Sequence, residues 1–312
     1  MILGGNYEEE PVSIRSDATS KFGMQNELTN DLQPLNSPQL WWSAPRDRST
    51  LQMGHKALSC WYRPSRTYPK VKQTSTQTTF ISSAIMHFLL LGATGRTGKH
   101  VVSELLSQGH TAVALVRTSA SIDPRPGLTL VTGSPLSKTD IRSAILATPS
   151  LSLSAAIITL NTVRESDSPF AAQLSPPRFL ADSCANVCEI LEQVACHRIV
   201  IMSTAGVGDS WGKLPLLSKV FMSWTNIKYA LDDHELIDNE IRLTEMKWTL
   251  VRAVRLQFEE GKSAQTKSVR TLGSSGDGMS MSDTVSTASV AGFLFKVAVE
   301  GLFSKTAVVV AN

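Results

Sequence analysis

Several classes of protein are closed off by what this chain has little of. Cysteine is scarce, with four residues (Cys60, Cys184, Cys188 and Cys196) in 312. That is too few to staple a fold of this length, so free thiols in a reducing, cytoplasmic compartment are expected. Cys184 and Cys188 stand one helical turn apart, but no second His or Cys pair accompanies them. They read as buried apolar residues, as does Cys196, and no metal site is expected. An excess of one charge is also lacking: 30 basic against 27 acidic residues leave +3. The basic residues are scattered rather than gathered in a stripe, which gives no case for a nucleic-acid partner. Long apolar runs are missing as well. The longest, Phe80 to Ala93, is broken by Ser82, Ser83 and His87 and is too short to cross a bilayer, so no membrane partner is expected. No secretory leader is expected either, because Glu8, Glu9 and Glu10 occupy the place where its apolar run would lie.

What is there divides at Met86. Residues 1–85 are rich in Ser, Thr, Gln, Asn and Pro and carry no sustained period of 2 or 3.6; they read as a disordered extension or as the product of a mistaken upstream start. Trp41, Trp42 and Trp61 are the one hint of a docking element there, and stray aromatics explain them as well. From residue 86 on, apolar runs alternate with helical patterns. Strands are expected near 87–91, 111–116, 128–132, 155–160, 198–203, 248–252 and 306–310, and helices near 97–108, 139–146, 178–195, 226–244 and 287–300. Strands that read as continuous apolar runs belong to a sheet covered on both faces, so the expected fold is an α/β doubly wound parallel sheet, a single Rossmann-type domain over 86–312. Two stretches break the rhythm, residues 209–226 with Trp211, Phe221, Met222 and Trp224, and residues 257–282, rich in Gly, Ser and Lys. Both follow strand ends on the ligand-binding edge and are candidate substrate-covering walls. Packing of the aromatic stretch onto a neighbouring helix is the competing reading.

The first of these strands runs straight into Gly92-Ala93-Thr94-Gly95-Arg96-Thr97-Gly98, and a helical pattern and a second strand follow. In that context the three glycines read as a dinucleotide pyrophosphate site. Gly92 allows the sharp turn, Gly95 lets backbone N–H groups reach the anion, and Gly98 lets helix pack on strand; the helix N-terminus faces the phosphates. The second strand ends in Arg117, where an acidic residue would bind a ribose 2′-OH. A guanidinium there suits a 2′-phosphate, which favours NADP, with Arg96 as a second contact to the same anion; an unliganded surface arginine is the alternative. Ser134 after strand three and Leu160 and Asn161 after strand four should border the adenosine half. Ser203 and Thr204, ending strand five, would lie beside the nicotinamide and are the candidate catalytic pair, by holding the cofactor amide or donating to a substrate carbonyl, unless they only cap the turn before Gly206.

Gly-Ala-Thr-Gly-Arg-Thr-Gly at 92–98, Leu-Val-Arg at 115–117, Met-Ser-Thr-Ala-Gly-Val at 202–207, Asp-Asp-His-Glu at 232–235 and Trp-Thr-Leu-Val-Arg at 248–252 together resemble the atypical short-chain dehydrogenase/reductase group. Within it the chain is similar to NAD(P)H-binding proteins of the NmrA-like and biliverdin reductase B-like flavin reductase kind. The resemblance spans 86–312 and implies strand order 3-2-1-4-5-6-7, with the nicotinamide near the ends of strands four and five. It also implies an acidic residue at the end of strand three, where this chain has Ser134, and a proline after the strand-six arginine, where it has Ala253.

Dehydrogenases of this group that use a tyrosine acid/base need Tyr-x-x-x-Lys on one helix, so that the ammonium lowers the phenol pKa. Tyr229 is followed four residues on by Asp233, and a carboxylate opposes phenolate formation. Tyr229 is therefore expected to be a helix-face residue. His234, among Asp232, Asp233 and Glu235, is either a proton donor or part of a solvated charged face, and the second reading is preferred. The expected activity is an NADPH-dependent oxidoreductase acting on a small apolar conjugated acceptor, a quinone, flavin or carbonyl, where positioning carries the catalysis. The alternatives are a non-catalytic redox sensor, which the missing Tyr/Lys pair permits, and, by fold analogy alone, a tailoring oxidoreductase of polyketide metabolism. A small-molecule substrate is the expected partner, with a monomer or homodimer as the assembly.

Overall fold

The computed structural model describes residues 84–119, 122–258 and 266–312. Expectations for the N-terminal extension, its tryptophans and Cys60 lie outside the described residues, as does part of the 257–282 stretch.

The five residues His87–Leu91 (β1), four of them apolar, are buried without a break, which fits a strand covered on both faces. On one side β1 pairs in parallel with β2 (Thr111–Val116), and β2 with β3 (Leu128–Thr132). On the other side β4 (Leu153–Ile158), β5 (Arg198–Thr204), β6 (Lys247–Ala253) and a last long strand, Thr306–Ala311, follow, all parallel. The order of the long strands is therefore 3-2-1-4-5-6-7, as the resemblance implies. β4 starts and ends two residues earlier than expected, which leaves Thr159 and Leu160 beyond the strand, on the ligand edge.

The crossovers are helices α1 (Arg96–Ser107), α2 (Lys138–Leu146), α3 (Phe179–Gln193), α5 (Lys228–Ile241) and α6 (Thr287–Glu300). Side chains of α1 and α6 close one apolar cluster around Phe88, Val101, Leu105 and Leu294. Those of α2, α3 and α5 close a second around Leu89, Ile141, Val187, Ile190 and Trp248. Cys184, Cys188 and Cys196 are free thiols in this second cluster. Burial raises the pKa of all three, that of Cys188 to about 12, so they behave as small apolar residues.

Three additions were not foreseen. The stretch after β5 folds into a 3-10 turn, Gly208–Lys213, and a short helix, α4 (Leu216–Trp224). Beyond β6, β7 (Arg255–Gln257) and β9 (Thr284–Ser286) form a two-stranded parallel sheet of their own. Between them β8 (Arg270–Thr271) joins the outer edge of the main sheet antiparallel to Thr306–Ala311, which is β10 in chain order. Such short pairings carry no period long enough to read in sequence. Among the described residues no helix is long and apolar enough to cross a membrane.

Candidate functional site

The turn from β1 into α1 is built on backbone contacts that only glycine allows. Gly92 has φ +87°, and a Cβ there would lie 2.6 Å from the Thr159 carbonyl. A Cβ on Gly98 would sit 2.1 Å from the Gly92 oxygen. Gly95 donates its N–H to that oxygen at 2.9 Å and is the N-cap of α1, with no side-chain cap and no acidic residue in the first turn. The first N–H groups of a twelve-residue helix thus end free of any side-chain acceptor, in the form that receives phosphate. Thr97 is buried and Thr94 half-buried in the same turn. Thr159, just beyond β4, steadies it, its hydroxyl donating to the carbonyls of Leu91 and Gly92 at 3.3 and 3.2 Å.

Because the strands lie in the order 3-2-1-4-5, the residues singled out at their ends share one edge of the sheet. Arg117 follows β2 and is exposed. Arg96 opens α1, but its guanidinium is already engaged: it pairs with Asp167 at 3.2 Å and lies 3.7 Å over the Phe258 ring. Both carboxylate and guanidinium are largely exposed, so the pair is weak and open to competition from a more highly charged anion. Ser134, after β3, takes a different role from a side-chain ligand: its N–H donates to the Asp140 carboxylate at 2.8 Å. Asp140, in the first turn of α2, thus brings a carboxylate to the end of β3. Leu160 packs on the second apolar cluster, and the exposed Asn161 folds back, its Oδ1 accepting from the Thr162 N–H at 2.9 Å.

Further along this edge, Ser203 is buried and stands in register with Arg252, and Thr204 with Ala253. Thr204 donates to the neighbouring Ala205 carbonyl at 3.2 Å. The turn at Gly206 is capped instead by the buried Ser210, whose hydroxyl accepts from the Gly206 and Val207 N–H groups at 2.9 and 3.2 Å. The Thr204 hydroxyl is thus engaged within the turn, whereas the cap at Gly206 is supplied by Ser210 and not by Ser203.

Two readings of α5 are corrected. Asp233 and His234 are not on a solvated face; both are buried. Asp233 accepts from the Leu180 and Ala181 N–H groups at 2.8 and 2.9 Å and so caps α3, whose own N-cap, Arg178, has φ 60° and no capping side chain. His234 is held neutral, its pKa lowered to about 4 by burial, and its Nδ1 has no hydrogen-bond partner among the described residues. It sits one turn before Asp238, toward the edge where β5 ends. Tyr229 is an exposed helix-face residue, as expected.

Sequence reasoning also missed the brace behind this edge. Arg252, wholly buried, pairs with Asp238 at 2.7 Å and donates to the Ser274 carbonyl at 2.8 Å. Asp238 also receives Arg242 at 3.1 Å, and Glu235 accepts from the Gly208 N–H at 2.7 Å. Lys213 reaches Asp277 at 3.0 Å. The stretches 208–213 and 274–277 are thus fastened to α5, to β6 and to each other. The Trp-Thr-Leu-Val-Arg run held the one available signal, a charged residue ending an apolar strand.

Comparison with known proteins agrees with this geometry. A model of the NAD(P)H-binding family matches residues 92–300. The photosystem II assembly factor Ycf39 of Synechocystis is 27% identical over 153 residues; the match covers 47% of this chain, and the chain spans 43% of that curated relative's length. Among solved structures, the anaerobilin reductase ChuY of Escherichia coli has 16% identity and a TM-score of 0.55, covering 72% of this chain and 96% of that one. A short-chain dehydrogenase/reductase of Veillonella parvula in complex with NADP has 18% identity and a TM-score of 0.55, covering 73% and 94%.

Proposed function

The chain belongs to the NAD(P)H-binding family, and from that premise we propose that it is an NADPH-dependent oxidoreductase that reduces a small, apolar, conjugated acceptor such as a quinone, a flavin or a carbonyl compound. The observation that carries the cofactor half is Arg117, an exposed guanidinium at the end of β2, where a carboxylate would be needed to bind a ribose 2′-OH and would repel a 2′-phosphate. Arg96 supplies a second guanidinium on the same side, released from Asp167 as the phosphate binds. The residues at the glycine turn fit the pyrophosphate: the α1 N–H groups receive it, and the bare Cα of Gly95 leaves it room to approach. The NADP in the Veillonella parvula structure agrees with this reading.

The acceptor half rests on α5. Bound NADPH supplies the hydride, so the chain has only to hold the acceptor flat against the nicotinamide, keep water out and steady any developing oxyanion. On α5 no lysine follows Tyr229 at the fourth place, and Asp233, which stands there, is committed to the N-terminus of α3. Ser203 and Thr204 are then the hydroxyls available to hold the carboxamide or to donate to an acceptor oxygen. Acceptors that delocalise the incoming charge need no stronger acid. The reductase activity named for ChuY supports this class of reaction.

The test is NADPH oxidation by the full chain against a panel of quinones, free flavins and apolar carbonyls. Turnover with at least one of them, reduced in Ser203→Ala, is the expected result. Tight NADPH binding without turnover on any would favour the redox-sensor alternative.

A further inference from the structure

Between β4 and α3 the chain forms a hairpin arm. Arg164 bridges antiparallel to Gln173, the Glu165 N–H donates to the Ala172 carbonyl at 3.0 Å, and the Leu174 N–H to the Val163 carbonyl at 2.8 Å. The tip of the arm is held on two sides. On one, Asn226, just ahead of α5, donates from its N–H to the Pro169 carbonyl at 2.9 Å and from its amide to the Phe170 and Ala171 carbonyls at 2.9 and 3.1 Å. On the other, the two carboxylate oxygens of Asp167 each accept from the Arg96 guanidinium, Oδ2 from Nη1 at 3.3 Å and Oδ1 from Nη2 at 3.2 Å. The arm thus reaches from the segment beyond β5 to the glycine turn, across the edge where β1, β4 and β5 end.

Arg96 is the first residue of α1 and stands beside the uncapped N-terminus of that helix. Its fork fits a phosphate as well as a carboxylate. In the free chain that fork is already filled. The contact is two-pronged, the arm that presents Asp167 is anchored at Asn226 and by its own ladder, and the Phe258 ring centre lies 3.7 Å from the guanidinium carbon. Both partners are therefore ordered before they meet, and the pair avoids much of the entropy cost that cancels most exposed ion pairs. A phosphate monoester carries about −1.5 to −2 charges at neutral pH and outcompetes a carboxylate for the same fork.

We infer that Asp167 is a specificity-determining residue, an internal carboxylate that occupies Arg96 in the free chain and that the 2′-phosphate of NADPH has to displace. The inference rests on the cofactor reading above, in which Arg96 meets that phosphate. NADH has no 2′-phosphate and leaves the Arg96–Asp167 contact in place. Asp167 therefore weakens NADPH binding and narrows the preference over NADH. Repulsion between Asp167 and the pyrophosphate is common to both cofactors and cancels in the ratio of their dissociation constants.

That ratio, NADH over NADPH, is the quantity to measure, by fluorescence titration of the full chain, Asp167→Asn, Arg96→Ala and the double variant. Asp167→Asn should raise it about two- to fivefold, the range of an exposed ion pair, by tightening NADPH. In the Arg96→Ala background the same change should leave the ratio where it was. The Asp167 side chain is 85% exposed, so the thermal midpoint of Asp167→Asn should match that of the parent. An unchanged ratio in Asp167→Asn would overturn the inference, and so would an equal rise without Arg96. In either case a parent that prefers NADPH, and loses the preference in Arg117→Glu, keeps the cofactor reading intact. A parent that binds neither cofactor would overturn both.

Discussion

Gly95 and Gly98 fail in different ways when a side chain is added, and the difference separates binding from folding. At Gly98 a Cβ collides with the Gly92 carbonyl, so any substitution disturbs the β1–α1 packing itself. Gly95 is exposed, has φ −73°, and a Cβ there meets only the Gly92 oxygen, at 3.2 Å. Gly95→Val should therefore leave the thermal midpoint within a few degrees of the parent while removing NADPH binding, because the branched side chain fills the approach to the α1 N-terminus. A calorimetric scan beside an NADPH titration checks it; retained affinity would put the pyrophosphate elsewhere.

His234 makes a prediction of the opposite kind, on stability and not on binding. Its folded pKa of about 4 lies below the value near 6.5 in an unfolded chain. Above pH 6.5 it is neutral in both states and contributes nothing. As pH falls from 6.5 to 4 only the unfolded chain takes up the proton, so stability drops, by roughly 3 kcal/mol once pH 4 is passed. Buried His87 and His110, also lowered by desolvation, act in the same direction. His234→Gln should flatten part of the acid limb, seen as a smaller loss in denaturant midpoint between pH 7 and pH 4.5; an unchanged slope would contradict the neutral, buried imidazole. Nothing in the string Asp-Asp-His-Glu announced this burial. The letters are those of a solvated helix face, and only the packing of α5 on α3 turns two of them inward.

At the scale of elements, the seven long strands and five crossover helices were legible because each is a continuous apolar run or an amphipathic pattern that must be covered by its neighbours. The parts beyond the ends of β5 and β6 were not. α4 turns its apolar stripe outward, so its pattern reads as that of a packed helix, and β7, β8 and β9 are two or three residues long. Caps that act across the fold are equally silent in sequence. Asp233 lies more than fifty residues from the α3 N–H groups it accepts. Asp233→Ala should cost about 2 kcal/mol, since it leaves two buried donors unanswered, and Asp233→Asn less. Urea unfolding with hydrogen exchange at Leu180 and Ala181 would register it, and full protection of those amides in the alanine variant would contradict the cap.

For the whole molecule, order 3-2-1-4-5 brings the ends of five strands to one edge, which places residues as far apart in sequence as Gly92 and Thr204 on the same edge. The glycine turn and Arg117 on that edge were readable from sequence, because glycine spacing and a strand-end arginine are local signals. The Arg252–Asp238 brace and Asp140 were not, because they reach the edge only through tertiary packing. On the proposed function this edge holds a dinucleotide and Arg117 reads its 2′-phosphate. The most direct test is the ratio of NADH to NADPH dissociation constants, measured by fluorescence titration for the full chain and for Arg117→Glu. The account predicts that the parent binds NADPH about tenfold or more tightly than NADH and that the variant loses or reverses the preference. An equal ratio in the two proteins, or no binding of either cofactor by the parent, would contradict it.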